Sequence, residues 1–227
     1  MPNSGNPRQL ALTLSHNQSF AREDFLCGPS NAVALALVEG WPDWPARTVA
    51  LVGPEGSGKS HLADMWAAEA GARTMSGSAL EEASVPGALA TGAVVIEDLT
   101  EDGIDERALF HLLNLAREEG AYALLTMRTP PAGWQLSLRD LASRLRALPV
   151  VTLTPPDDML LRALLVKLFS DRQIPVEKSL ITYLITHMER SCAAARAVVE
   201  ELDREALRAK RPVTRAFAAD LYRDRLP

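Results

Sequence analysis

The sequence has few of the features that mark specialised protein classes. Its 227 residues include two cysteines, Cys27 and Cys192, which lie far apart and outside any C-x-x-C pattern, so no disulfide framework or cysteine zinc site is expected. The four histidines are scattered and predict no metal cluster. No apolar run approaches the roughly 18 residues of a membrane span, and no apolar core of a secretory signal follows the first residues. These absences predict a cytoplasmic protein with reduced thiols.

An excess of positive charge is lacking too. The 24 Lys and Arg side chains are outnumbered by 29 Asp and Glu, giving a formal net charge of −5. This net negative charge argues against a protein whose main function is to bind nucleic acid or an anionic membrane. The charge is unevenly spread, because residues 154–227 carry 13 basic and 11 acidic side chains, whereas residues 1–153 carry 11 and 18. With a length above that of many single domains, the asymmetry predicts two parts.

Hydrophobic patterning supports this division. Residues 1–19 predict a flexible tail, residues 20–154 an α/β core and residues 155–227 a small all-helical lid domain. In the core, short apolar runs alternate with helical patterns, which predicts a parallel five-stranded sheet covered by helices on both faces. The predicted strands are Thr48–Val52, Arg73–Met75, Ala93–Ile96, Tyr122–Thr126 and Val150–Leu153. The predicted helices are Ser60–Ala70, Asp105–Glu119, Leu138–Leu145, Asp157–Ser170, Glu177–Met188, Ala193–Lys210 and Thr214–Tyr222.

One motif between a predicted strand and a predicted helix carries recognisable chemistry. The segment from Gly53 to Ser60 reads G-x-x-x-x-G-K-S, the phosphate-binding P-loop. Its glycines let backbone N–H groups surround a phosphate at the positive end of the following helix. Lys59 is expected to reach the β- and γ-phosphates and Ser60 to bind Mg²⁺; an ordinary glycine-rich turn is the alternative. The predicted nucleotide-binding residues are Gly53, Pro54, Glu55, Gly56, Ser57, Gly58, Lys59, Ser60 and His61.

Two carboxylates form a second candidate site. Glu97 and Asp98 follow the predicted strand Ala93–Ile96 directly. One carboxylate can complete the shell of a Mg²⁺ ion, and the next can polarise an attacking water. Glu97 is therefore predicted as a metal ligand and Asp98 as a catalytic residue. A solvated strand end without chemistry is the alternative.

Three further segments resemble the DnaA family of bacterial replication initiators, which are AAA+ ATPases. Phe25–Asn31 is similar to the family's adenine-side segment, Leu141–Leu145 to its arginine-finger region, and Pro155–Asp157 to the linker before its helical lid. The resemblance covers residues 20–227 and ends where the initiator would continue into its DNA-binding domain. It implies a P-loop AAA+ core and lid that bind ADP or ATP with Mg²⁺.

The N-terminal tail adds a second resemblance. Gln9, Leu10, Leu12 and Leu14 belong to a short alternating patch similar to the peptide with which replication proteins dock on the DNA polymerase III sliding clamp, the beta subunit. An edge strand packed on the core would explain the alternation equally well. A DnaA-like module with such a peptide resembles the Hda family, whose members stimulate ATP hydrolysis by DnaA and so prevent over-initiation of replication.

Departures from the DnaA pattern refine this expectation. The first acidic position holds Glu97 instead of aspartate, and Arg128 stands near the place of a polar sensor, for which Thr126 is a candidate. The lid arginine that reports on the γ-phosphate aligns with Ala193, and Arg190 or Arg196 could replace it only if the helix were displaced. Altered sensors beside an intact P-loop imply nucleotide binding with weak intrinsic hydrolysis.

Arg144 is retained at the arginine-finger position. The resemblance implies that it acts on the nucleotide of a neighbouring DnaA molecule, where it would stabilise the charge of the transferring phosphoryl group. A surface ion pair with Asp140, four residues earlier, is the alternative. A homodimer is a further possibility, and neither a membrane nor a specific DNA sequence is expected as a partner. Rival functions are a DnaA-like initiator or helicase-loader paralogue that contacts DNA directly, and a small P-loop kinase.

Overall fold

The computed structural model describes residues 22–223, which form a five-stranded sheet with helices on both of its faces, followed by four further helices. The strands are β1 (Thr48–Val52), β2 (Arg73–Ser76), β3 (Ala93–Leu99), β4 (Tyr122–Met127) and β5 (Val150–Thr152). The α-helices are α1 (Ala32–Glu39), α2 (Lys59–Ala70), α3 (Val85–Leu89), α4 (Glu106–Glu119), α5 (Arg139–Ala147), α6 (Asp158–Asp171), α7 (Lys178–His187), α8 (Cys192–Ala209) and α9 (Arg215–Tyr222).

The sheet is parallel throughout, with the strand order β2-β3-β4-β1-β5. The central strands are continuous apolar runs because both of their faces are covered. Along β1, Val49 and Leu51 pack with α1 and α2, whereas Ala50 and Val52 pack with α3, α4 and α5. Parallel strands place all their carboxyl ends at one edge, so the ends of β1, β3 and β4 lie side by side. The predicted five-stranded parallel sheet is confirmed.

The lid, which here denotes helices α6–α9, has an apolar core of its own. Its buried side chains include Phe169, Leu184 and Val199. Leu26, from the segment before α1, packs against the same cluster. Three of the four lid helices, α6, α8 and α9, begin where a short polar side chain accepts a hydrogen bond from the first turn, as Asp157 does for α6 and Ser191 for α8.

Two parts of the fold were missed by the sequence patterns. α1 was not predicted, because its sequence AVALALVE is apolar up to its last residue, Glu39, and carries no helical period. α3 has only five residues and contains Pro86 and Gly87. The structure also extends β3 beyond Ile96, so that Glu97 and Asp98 lie within the strand and not after it.

Among residues 22–223, no helix combines the length and apolar character that crossing a membrane requires.

Candidate functional site

The P-loop joins the carboxyl end of β1 to the first turn of α2, as its chemistry requires. Gly56 and Gly58 have φ angles of +70° and +103°, which favour glycine. Gly53 is restricted in a different way, since a Cβ atom there would lie 2.6 Å from the carbonyl oxygen of Leu153. The glycines of the motif therefore set the shape of the loop.

Lys59 is the cation of this loop. Its residue surface is only 6% exposed, and its Nζ donates hydrogen bonds to the carbonyl oxygens of Gly53 (2.8 Å) and Pro54 (2.9 Å). Burial lowers the pKa of Lys59, while the negative charges of Asp98 and Glu55 act in the opposite direction. The ammonium group is thus held within the loop, with its charge largely desolvated.

Ser60 and Glu97 meet beside the loop. A hydrogen bond joins their side chains, and the exposed Ser60 lies in the first turn of α2. Burial raises the pKa of the half-buried Glu97, an effect that the nearby charge of Asp64 strengthens. Within the described chain, Glu97 Oε1 and Ser57 Oγ are buried without a hydrogen-bond partner. Such oxygens have the chemistry of Mg²⁺ and phosphate ligation, so the residues present fit both groups.

Asp98 takes an unusual backbone conformation. Its φ angle is +51°, at an irregularity in the register between β3 and β4. Its N–H donates a 3.0 Å hydrogen bond to Oγ1 of Thr126, a fully buried residue of β4. The Thr126 hydroxyl is therefore engaged in holding the backbone of Asp98, whose own residue surface is exposed.

The lid reaches the P-loop through the start of α8. The Cys192 N–H donates a 2.9 Å hydrogen bond to the Gly56 carbonyl oxygen. Ser191 and Ala193 pack so closely that a Cβ on Gly56 would lie 2.8 Å and 3.0 Å from their Cβ atoms. Ala193, at the position where the DnaA resemblance expects an arginine, thus contacts the loop with a methyl group.

The two arginines near this helix start have different partners. Arg190 forms an exposed ion pair with Asp158, at the start of α6. Arg196 lies one turn inside α8, with its Nη2 3.4 Å from Nδ1 of His61. In the described part of the lid, Arg196 therefore faces the core at His61.

Beside the P-loop, a narrow cleft separates the core from the lid. His61 meets the edge of the Phe25 ring at a centroid distance of 5.1 Å. Asn31 fixes the preceding segment, since its side chain accepts a hydrogen bond from the Gly28 N–H and donates one to the Leu26 carbonyl oxygen. The cavity measures about 20 Å³, room for about one water molecule. It is lined by Asp24, Phe25, Leu26, Asn31, Ser57, Gly58, His61, Leu160, Leu164, Cys192 and Arg196.

The remaining predicted residues lie away from this cleft or outside the described chain. Arg144 is half-buried on α5, and its guanidinium carbon lies over the Phe110 ring of α4 at 5.0 Å from the ring centre. The alternative ion pair with Asp140 is not among those found in residues 22–223. Gln9, Leu10, Leu12 and Leu14 fall outside the described residues, so the clamp-peptide prediction stays a prediction.

Sequence reasoning missed three side chains of the site. Asp64 lies one turn after Ser60 on α2, and burial raises its pKa; the four-residue spacing from Ser60 was the available signal. Leu160 and Leu164 of α6 line the cleft from the lid side. Their apolar spacing predicted a helix, but it gave no sign of which neighbour the helix would contact.

Comparison with known proteins identifies the fold. No protein-family model matches the chain, and no curated protein matches it in sequence. Among solved structures, it is similar to domain III of the replication initiation protein DnaA from Thermotoga maritima, with a TM-score of 0.74, 17% identity and coverage of 92% of this chain and 97% of that one. The AMPPCP-bound DnaA of Aquifex aeolicus gives a TM-score of 0.67 and 16% identity, covering 85% and 67%.

A motor protein shares the same architecture. The Holliday junction branch migration motor RuvB of Thermotoga maritima matches with a TM-score of 0.65 and 17% identity, over 86% of this chain and 66% of that one. At these identities the likeness concerns the fold alone. The chain therefore has a DnaA-like AAA+ fold, with a P-loop α/β core followed by helices.

Proposed function

We propose that the chain binds ADP or ATP with Mg²⁺ at the P-loop, between the core and the lid. The observation that carries this proposal is the P-loop itself. It leads directly into α2, and its Gly53 and Pro54 carbonyl oxygens bind the buried ammonium of Lys59. Two solved structures of similar fold are DnaA proteins bound to AMPPCP, which supports a nucleotide as the ligand. Ser60 and Glu97 would hold the Mg²⁺, which would shield the charge of the phosphates.

The base would occupy the cleft lined by Phe25, His61 and Arg196. A cavity of about 20 Å³ is too small for an adenine ring, so the side chains of α6 and α8 must move away from the core to admit it. Binding would then be coupled to the position of the lid, because α8 also contacts Gly56 of the loop.

Intrinsic hydrolysis is expected to be slow. The lid presents Ala193 to the loop, and a methyl group cannot stabilise the charge that develops on a transferring phosphoryl group. Asp98 remains the candidate for polarising the attacking water, and the buried Thr126 hydroxyl orients its backbone.

At the level of the cell, we propose a regulator of the Hda type. The tail residues Gln9, Leu10, Leu12 and Leu14 would dock on the sliding clamp, and Arg144 would act on ATP bound to the initiator DnaA, limiting replication initiation. The likeness to DnaA domain III supports this role, since subunits of one fold can assemble through matching surfaces. The guanidinium of Arg144 stacks on the Phe110 ring, between α5 and α4. Such a contact contributes little free energy, so exchanging the ring for a phosphate of DnaA-bound ATP would cost little.

The decisive experiment measures hydrolysis of DnaA-bound ATP on clamp-loaded DNA, with and without this protein. The intact chain is expected to accelerate hydrolysis, and the Arg144→Ala variant to lose about 100-fold or more of that effect. Arg146→Ala, which removes an exposed arginine from the same helix, is the matched control and should retain it. Absence of stimulation by the intact protein would refute the regulatory role.

A second set of variants separates docking from catalysis. Replacing Gln9, Leu12 and Leu14 by alanine should abolish retention of the protein on the clamp while leaving its nucleotide affinity unchanged. Unchanged retention would refute the docking role. Micromolar, salt-dependent DNA affinity without the clamp would favour the directly DNA-binding paralogue instead.

A further inference from the structure

The start of α5 is held by a carboxylate of the neighbouring helix α4. Glu106 is the first residue of α4, and its two carboxylate oxygens accept hydrogen bonds from the Ser137 N–H (2.9 Å) and the Leu138 N–H (2.6 Å). Leu138 is the N-cap residue of α5, and its apolar side chain accepts no hydrogen bond from the first turn. A half-buried side chain of α4 therefore fixes the backbone from which α5 begins.

α4 contacts α5 again one turn further on. Phe110 lies four residues after Glu106, so the two side chains lie on the same face of α4. The guanidinium carbon of Arg144 lies over the Phe110 ring, 5.0 Å from its centre. One face of α4 thus holds the start of α5 through Glu106 and supports the Arg144 side chain through Phe110.

Apolar packing alone determines the orientation of α5 poorly. Of its nine residues, two are buried, Leu141 and Leu145, and they lie one turn apart on a single stripe. Apolar contacts have no preferred direction, so a helix packed through so narrow a stripe can rotate about its axis. The hydrogen bonds to Glu106 are directional and charge-assisted, and they fix the helix start against such rotation.

We propose that Glu106 is a positioning residue for Arg144. By binding the Ser137 and Leu138 N–H groups, it sets the orientation in which α5 presents the guanidinium to the nucleotide of a DnaA molecule. The inference rests on the proposed action of Arg144 on DnaA-bound ATP. Placement matters for such a group, because a misplacement of about 1 Å can cost about 100-fold in rate. Glu106 acts only through α5 and does not touch the reacting atoms.

The test measures single-turnover hydrolysis of DnaA-bound ATP on clamp-loaded DNA while this protein is titrated to saturation. Glu106→Ala removes both hydrogen bonds and should lower the plateau rate about tenfold, with the half-saturating concentration unchanged. Glu106→Gln keeps one acceptor oxygen and should give an intermediate loss. Glu118→Ala, which removes an exposed glutamate from the last turn of the same helix, is the matched control and should retain the full plateau.

The shape of the titration separates positioning from a loss of folded protein, which thermal unfolding of each variant measures independently. If Glu106→Ala only reduced the folded fraction, more protein would be needed to reach an unchanged plateau, and the positioning role would be overturned. If the intact chain gives no stimulation at all, the regulatory role and this inference are both overturned. Stimulation that Glu106→Ala leaves unchanged overturns this inference alone.

A double-mutant cycle tests whether Glu106 acts through Arg144. In the Arg144→Ala background there is no guanidinium to position, so adding Glu106→Ala should cause no further loss of the residual stimulation. A further tenfold loss in that background would show that Glu106 affects hydrolysis by another route, and would overturn the inference.

Discussion

Two helices begin at the P-loop from opposite sides, and they bring different groups to it. α2 begins at Lys59, in the core, and presents an ammonium and the Ser60 hydroxyl to the loop. α8 begins at Cys192, in the lid, and presents small side chains with one backbone N–H, which is bonded to the Gly56 carbonyl oxygen. Each helix directs the positive end of its dipole at the loop. At its first turn only α2 adds a charged side chain, since Arg196 lies one turn inside α8 and faces His61.

The difference assigns separate roles to the two helix ends. The core side supplies the charge that a phosphate needs, and the lid side supplies shape, since Ala193 packs where a Gly56 Cβ would lie. The affinity for nucleotide should therefore depend on α2. The rate of ATP hydrolysis should be limited by the absence of an arginine at the start of α8. Under the proposed function, this division would let the chain bind nucleotide firmly and hydrolyse it slowly.

The largest expected effect tests the core side. Lys59→Ala should lower the affinity for both ADP and ATP about 100-fold, because it removes the only charged group that the helix start brings to the loop. Isothermal titration calorimetry measures the loss directly. Lys178→Ala, at the exposed start of α7, is the matched control and should bind like the intact chain. Equal affinities for the two variants would mean that the P-loop is not the nucleotide site.

The next effect tests the lid side. Ala193→Arg restores a guanidinium at the start of α8 and should raise intrinsic ATP hydrolysis about tenfold, since it adds positive charge where the lid contacts Gly56. Ala197→Arg places the same side chain one turn later on the exposed face and should have no effect. Single-turnover hydrolysis is the measurement. A rate as slow as that of the intact chain would show that the missing lid arginine does not limit turnover.

The sequence predicted the core side of this comparison better than the lid side. β1 matches its predicted bounds, because an apolar run closed by Gly53 leaves little freedom in register. The P-loop could be read from spacing alone, since its chemistry is local to eight residues. The contact of α8 with Gly56 joins segments more than 130 residues apart, and no local pattern encodes it.

The polar contacts around the site also join segments that are distant in sequence, so local patterns could not predict them. Thr126 was a candidate sensor from its place at a strand end, but the sequence could not show that its hydroxyl accepts the Asp98 N–H. Arg128 was recognised as a departure from the family pattern, whereas its pairing with Glu55 depends on how β4 lies beside β1. Arg196 likewise reaches His61 only through the docking of the lid.

The smallest effect separates shape from hydrogen bonding at the lid side. The Ser191 hydroxyl accepts the Ala194 N–H and so caps α8, just as Thr214 caps α9 by accepting the Phe217 N–H. Ser191→Ala and Thr214→Ala should each cost about 1 kcal/mol of unfolding free energy, or about 2–4 °C in Tm, and leave nucleotide affinity unchanged. Thermal unfolding and calorimetric titration provide both measurements. If Ser191→Ala alone weakened binding, its hydroxyl would contact the phosphates, and the lid would supply more than shape.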